Sequence, residues 1–244
     1  MLALLLVHAA AASSNWAGYA VTGSTFTDVK GTWVQPALTC PATGSSYAAF
    51  WVGLGGETGS GGLEQTGTEA DCQNGRVSYS SWYETLPDGS VQVPVSITPG
   101  DTVSAEVTAD TTAGTATLSL TDVTTGQTFT TTTTPSVLDT SSAEWTAEAP
   151  SQCLGSRCLQ LPLANFGTVQ FSGSSTTANG HVGTISDASW STTSIELGGG
   201  AGAAVPAALS PDGTAFAVAF TQPAPVVQPV TPRKRRHHRA TRPA

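Results

Sequence analysis

Charge is scarce in this 244-residue chain, and it is unevenly spread. Asp, Glu, Lys and Arg make up 11% of the residues, under half of the roughly 25% typical of a soluble protein. Six of the nine Lys and Arg fall between Arg233 and Arg242, leaving Lys30, Arg76 and Arg157 for the rest. All seventeen acids lie between Asp28 and Asp212, so this body carries a formal charge of −14. It repels phosphates and anionic membrane surfaces, which argues against nucleic acid as a partner. Few carboxylates can find a cation, so there are few salt bridges to lose in acid, and protonation relieves self-repulsion. The composition suits an acidic medium, or a plain low-charge extracellular surface.

Histidine is nearly missing as well. The body has only His181, set in Gly180-His181-Val182-Gly183, which reads as a turn entering a strand. A Ser-His-Asp triad needs a well-placed histidine, and a lone one in such a turn is more often structural. There is no HExxH, no GxSxG, no phosphate-binding glycine loop and no dinucleotide fingerprint. Gly53 to Gly62 is rich in glycine, but no helical pattern follows to make an anion site. The cysteines form no CxxC units, so zinc is a poor fit and neither metal nor cofactor is expected. Hydrolytic chemistry would have to rest on carboxylates and amides.

No apolar run is long enough for a membrane span. Met1 to Ala12, MLALLLVHAAAA, reads as the core of a secretory signal, with small residues near a plausible cleavage point and no basic stretch before it. Residues 1–14 are assigned to this leader, and the protein is expected outside the cell. An even count of four cysteines there predicts two disulfides, with three possible connectivities. Cys153 and Cys158 enclose a short loop and are paired with each other, which leaves Cys40 with Cys72.

What fills the chain instead is Thr, Ser, Gly and β-forming residues. Arg76 to Glu84 alternates, with Val77, Tyr79, Ser81 and Tyr83 on one face, and Ser90 to Ile97 alternates through Val91, Val93, Val95 and Ile97. Thr102 to Thr108 and Thr115 to Thr121 continue the series. Pro87-Asp88-Gly89, Pro99-Gly100-Asp101 and Pro211-Asp212-Gly213 read as turns. Short strands between frequent turns predict an all-β antiparallel sandwich or barrel over residues 15–222. Residues 223–244 form a proline-rich and then basic tail, expected to be extended and disordered. Ala143-Glu144-Trp145-Thr146-Ala147-Glu148 is ambiguous. As a strand it would put Glu144, Thr146 and Glu148 on one face.

Five clusters set an aromatic or glycine-rich segment beside a carboxylate or amide. They are Asn15-Trp16-Ala17-Gly18-Tyr19, Trp51-Val52-Gly53-Leu54-Gly55-Gly56, Leu63-Glu64-Gln65-Thr66-Gly67, Trp82-Tyr83-Glu84 and Ala143 to Glu148. Each alone is ordinary strand packing. In this order, with Asn165-Phe166-Gly167-Thr168-Val169 and Asp187 to Trp190 after them, they resemble the glutamic peptidase (eqolisin) family from about Asn15 to Leu197. The resemblance implies two antiparallel sheets packed face to face, concanavalin-like or lectin-like in outline, with a polypeptide substrate across the concave face of a monomer. It implies Gln65 and Glu148 as the catalytic pair, and Trp16, Trp51 and Glu84 as residues of the cleft; strand parity adds Glu144 to that face and keeps it as the spare candidate for the catalytic acid.

Departures from the family pattern bear on subsite preference. Gly55 stands where an aspartate is common, Leu86 and Pro150 where aromatics are.

A Glu/Gln pair has the right chemistry for amide hydrolysis. A carboxylate takes a proton from water and returns it to the leaving amine, and a neutral amide donates to an oxyanion at any acidic pH. Glu148 is expected to stay partly ionised in acid, supported by nearby donors. Two other functions compete: a non-catalytic carbohydrate-binding sandwich, and a glycosidase using Glu84 and Glu148.

Overall fold

The computed structural model describes residues 10–59, 61–154, 157–200 and 202–221. The expected basic tail and most of the expected leader lie outside the described residues. Among the described residues every regular element is a strand.

In chain order the first are β1 (Ala11–Ser13), β2 (Trp16–Thr22), β3 (Phe26–Val34), β4 (Ser45–Gly55), β5 (Leu63–Gln73) and β6 (Arg76–Thr85). Then come β7 (Val91–Val93), β8 (Thr102–Asp110), β9 (Thr115–Asp122), β10 (Gln127–Thr133), β11 (Ser142–Glu148) and β12 (Ser151–Leu154). Last are β13 (Arg157–Gln160), β14 (Thr168–Ala178), β15 (His181–Thr184), β16 (Ser191–Gly199), β17 (Gly202–Pro206) and β18 (Phe216–Thr221).

Alternation builds these strands. In β9, Ala116, Leu118 and Leu120 point into the core, while Thr117, Ser119 and Thr121 pair their hydroxyls with Thr132, Thr130 and Thr128 of β10 at 2.9–3.1 Å. The alternation expected from Ser90 to Ile97 survives as burial of Val93, Val95 and Ile97. Ladder pairing stops at Val93, however, because Pro94 has no N–H to donate. The ambiguous stretch is strand β11, with Glu144, Thr146 and Glu148 on one face.

Apart from a two-stranded hairpin, hydrogen bonding does not divide the strands into separate sheets. One path runs β10-β9-β8-β3-β14-β18-β17-β16-β2-β11-β4-β5-β6-β7, with β1 and β15 attached to its sides. Continuity comes from β14, which pairs with both β3 and β18, and from β16, which carries the ladder on to β2. The path doubles back, so β8 and β9 face β4 and β5. Large side chains fill the space between, among them Trp33, Phe50, Leu118, Leu120, Trp145 and Phe171. Two indoles cross this core with their polar ends satisfied: Trp33 Nε1 donates to Thr68 Oγ1 at 3.1 Å and Trp145 Nε1 to the Lys30 carbonyl at 2.8 Å.

The strand pairs are antiparallel apart from β1 with β16. That pairing ties Ala11–Ser13, part of the expected leader, to Ile195–Leu197. Both expected disulfides are present, Cys40–Cys72 and Cys153–Cys158. The second closes a hairpin, β12–β13, that stands apart from the large sheet.

Candidate active site

Strands β2, β11, β4, β5 and β6 lie side by side, and their register fixes what shares the outer face. One row across them reads Trp16, Glu148, Ala49, Glu69, Ser80. The next reads Gly18, Thr146, Trp51, Gly67, Trp82, and the third Ala20, Glu144, Gly53, Gln65, Glu84. The five sequence clusters meet here because the pleat of each strand puts residues two apart on the same face and the ladders set those residues opposite one another.

The glycines make room for an indole. A Cβ at Gly67 would lie 2.6 Å from the Trp51 Cβ, and one at Gly53 would lie 3.0 Å from its ring. Trp51 is fully buried and meets the Trp16 ring edge-on, with centroids 4.9 Å apart. Together with Ala49, Leu63 and Trp82 it forms a small apolar floor separate from the main core.

From that floor Trp51 Nε1 donates to Glu148 Oε2 at 2.8 Å, and Asn15 Nδ2 donates to Oε1 at 3.0 Å. Asn15 is itself held, because its carbonyl accepts from the Ala149 amide at 2.8 Å. Gln65, 4% exposed, donates its Nε2 to Glu84 Oε2 at 2.6 Å. An amide nitrogen carries two hydrogens, so one donor remains.

Trp16, Gln65, Glu69, Trp82, Glu84 and Glu148 all line one cleft of about 510 Å³, a volume within the usual range for ligand sites. Its acids hold their protons tightly. Burial pushes Glu148 up to about 7, and the Glu84 charge adds to this, against the opposing donors Trp51 and Asn15. The donors expected for Glu148 are therefore present, but desolvation outweighs them, and the carboxyl is mostly protonated in acid. Glu69 rises to about 7, through burial first and then Asp71, Glu148 and Glu84. Burial also raises Glu84, against the bond from Gln65.

The structure brings together Gln65, Glu148, Trp16, Trp51 and Glu84. It does not place Glu144 with them. Glu144 is completely buried and absent from the cleft lining, although it shares the face of Glu148. Its carboxyl is raised well above the ordinary range by burial and by Glu57, Asp139 and Glu64. The segment carrying Asp139 covers this end of the sheet. A Cβ on Gly55 would lie 2.5 Å from that of Asp139, so Asp139 occupies the space a side chain at 55 would need. Its Oδ2 accepts from the Gly56 amide at 3.1 Å.

Sequence reasoning missed Asn15 and Glu69. The signal for Glu69 was its parity: it stands four residues after Gln65 in an alternating strand. His181 is not among the residues lining this cleft; its ring nitrogen pairs with Asp187 at 2.9 Å.

Residues 14–214 match the model of the Peptidase A4 family. Aspergillopepsin-2 of Aspergillus niger is 31% identical over 199 residues, covering 72% of this chain and 68% of that protein. Scytalidopepsin B of Scytalidium lignicola is 35% identical over 190 residues, covering 73% and 69%. The crystal structure of scytalido-glutamic peptidase with a transition state analog inhibitor superposes with a TM-score of 0.74 at 26% identity, covering 86% of this chain and 99% of that one.

Proposed function

The chain belongs to the Peptidase A4 family of glutamic-type peptide hydrolases, and from that premise we propose that it is a secreted acid endopeptidase working through Glu148 and Gln65. One observation carries the reading: the Gln65 amide and the Glu148 carboxyl open into a single cleft, and each is fixed by a side chain from another strand. The doubled sheet serves as a concanavalin-like frame for an extended peptide lying across the face of β2, β11, β4, β5 and β6.

In this reading the reactive form in acid is the fraction of protein whose Glu148 is ionised, and that carboxylate takes a proton from a water molecule as the water oxygen attacks the peptide carbonyl. The second Gln65 hydrogen meets the developing oxyanion, a contact worth roughly 3 kcal/mol of barrier. Glu148 then returns the proton to the leaving nitrogen as the C–N bond breaks, and ends ionised again. Glu84 orients the Gln65 amide so that nitrogen faces the reaction. It also sets the charge of the cleft, because two carboxylates this close resist ionising together. Disulfides suit an extracellular protein.

The Glu84–Glu148 glycosidase reading gives Gln65 no task, and a binding module needs neither acid. The test is cleavage of denatured casein across acidic pH. Wild-type protein should cut, and Glu148→Gln should be inactive with an unchanged melting temperature. An active Glu148→Gln would end the assignment.

A further inference from the structure

Residues Ala11 to Asn15 are held from three sides. Strand β1 pairs with Ile195–Leu197 of β16, the Ser14 carbonyl accepts from the Gln160 side chain, and the Asn15 carbonyl accepts from the Ala149 amide at 2.8 Å. Between these anchors the Ser13 hydroxyl organises a turn, as serine hydroxyls do when they bond to backbone two or three residues on. Its oxygen accepts from the Trp16 amide at 3.0 Å and from the Asn15 amide at 3.3 Å, and it donates to Asn15 Oδ1 at 3.4 Å.

That last contact selects which way the Asn15 side chain faces. An amide group has an acceptor oxygen on one side and a donor nitrogen on the other. With Oδ1 turned to the Ser13 hydroxyl, Nδ2 faces Glu148 and donates to Oε1 at 3.0 Å. Reversed, the group would set its oxygen against a carboxylate. Asn15 lines the cleft and Ser13 does not, so Ser13 reaches the reaction only through Asn15. By sequence Ser13 falls in the stretch assigned to the leader; β1 makes it part of the frame behind the cleft.

Building on the peptidase reading, we propose that Ser13 is a positioning residue: anchored by β1, its hydroxyl turns the Asn15 amide so that the nitrogen meets the Glu148 carboxyl. The Asn15 bond favours the ionised form of Glu148, the form that takes a proton from water. Against it stand the acids that face Glu148, Glu84 of β6 and Glu69 of β5. Without the Ser13 hydroxyl the amide is free to rotate, the bond to Oε1 weakens, and less of the protein is ionised in acid.

The experiment compares Ser13→Ala and Ser13→Thr with wild-type protein in the pH profile of kcat/KM on one ten-residue peptide. Ser13→Ala should move the acid limb up by about half a pH unit, the scale of one weakened hydrogen bond. Below the limb this is a roughly threefold loss, in kcat and not in KM. Ser13→Thr, which keeps the hydroxyl, should restore the limb. On an Asn15→Ala background Ser13→Ala should shift nothing further, because its effect passes through that amide. Carbon-13 NMR of protein labelled at its glutamate carboxyls, with the Glu148 signal assigned by Glu148→Gln, reads the same titration without turnover. The proposal is wrong if the limb and the Glu148 titration of Ser13→Ala superimpose on wild type, if they move equally in Ser13→Thr, or if they still move on the Asn15→Ala background. If the protein cuts no peptide at any acid pH while its Glu148 titration moves as expected, the catalytic reading fails and the positioning stands.

Discussion

Buried acids without cations should make this protein most stable in acid, and Glu64 gives the clearest case. It is completely buried, and the backbone amides of Asp139 and of Glu64 itself offset that burial only in part. Burial, with Asp139 nearby, raises it from 4.5 to about 8. The native state therefore holds this proton more tightly than the unfolded chain does. The stabilisation is fully present below pH 4.5 and is lost as pH rises through about 8. At about 1.4 kcal/mol per pH unit, the whole window is worth on the order of 5 kcal/mol. A typical domain has only about 5–15 kcal/mol in total. Glu144, Glu148 and Glu69 shift in the same direction and steepen the loss. The depressed Asp187 and Asp212 act only below the ordinary aspartate range, outside this window. The assay is the guanidinium midpoint from pH 4 to pH 8 at fixed ionic strength. It should fall across that range in wild-type protein and fall less in Glu64→Gln, which cannot ionise. A midpoint that rises with pH, or the same slope in Glu64→Gln as in wild type, would refute the reasoning.

Gln65→Ala should lower kcat by about 100-fold, the scale of one lost oxyanion donor, and leave the melting temperature within a few degrees. Trp51→Phe removes a bond that lowers the Glu148 pKa, so the acid limb of the kcat/KM profile should move to higher pH. A limb that stays put would separate Trp51 from the charge of Glu148. Glu84→Gln removes a like charge that raises Glu148, so its limb should move to lower pH. Gly67→Ala places a methyl well inside van der Waals contact of the Phe50 carbonyl oxygen and 2.6 Å from the Trp51 Cβ, so it should push β4 and β5 apart beside Trp51 and cost at least tenfold in activity, read beside tryptophan fluorescence.

Much of this was legible in one dimension. Alternation gave the strands, the even cysteine count and the short Cys153–Cys158 loop gave both disulfides, and five ordered clusters gave the family and singled out Gln65 and Glu148, which the fold brings to one cleft. Two features resisted. Pro94 shortened a strand whose hydrophobic pattern ran on to Ile97, because burial and ladder pairing are separate demands on the same residues. The large sheet is continuous because β14 pairs on both edges, and no local pattern records which strands a given strand will neighbour.

The sequence alone pointed to the family, since five aromatic and glycine-rich clusters stand in its order. It also determined which face each side chain takes, because strand parity is a local property. Tertiary structure decided what each face meets. Glu144 and Glu148 have the same parity on one strand, yet one is completely buried and the other opens into the cleft. The reason is physical: exposure and charge are set by neighbours distant in the chain, and only the folded sheet brings Asn15, Trp51 and Glu84 around a single carboxyl.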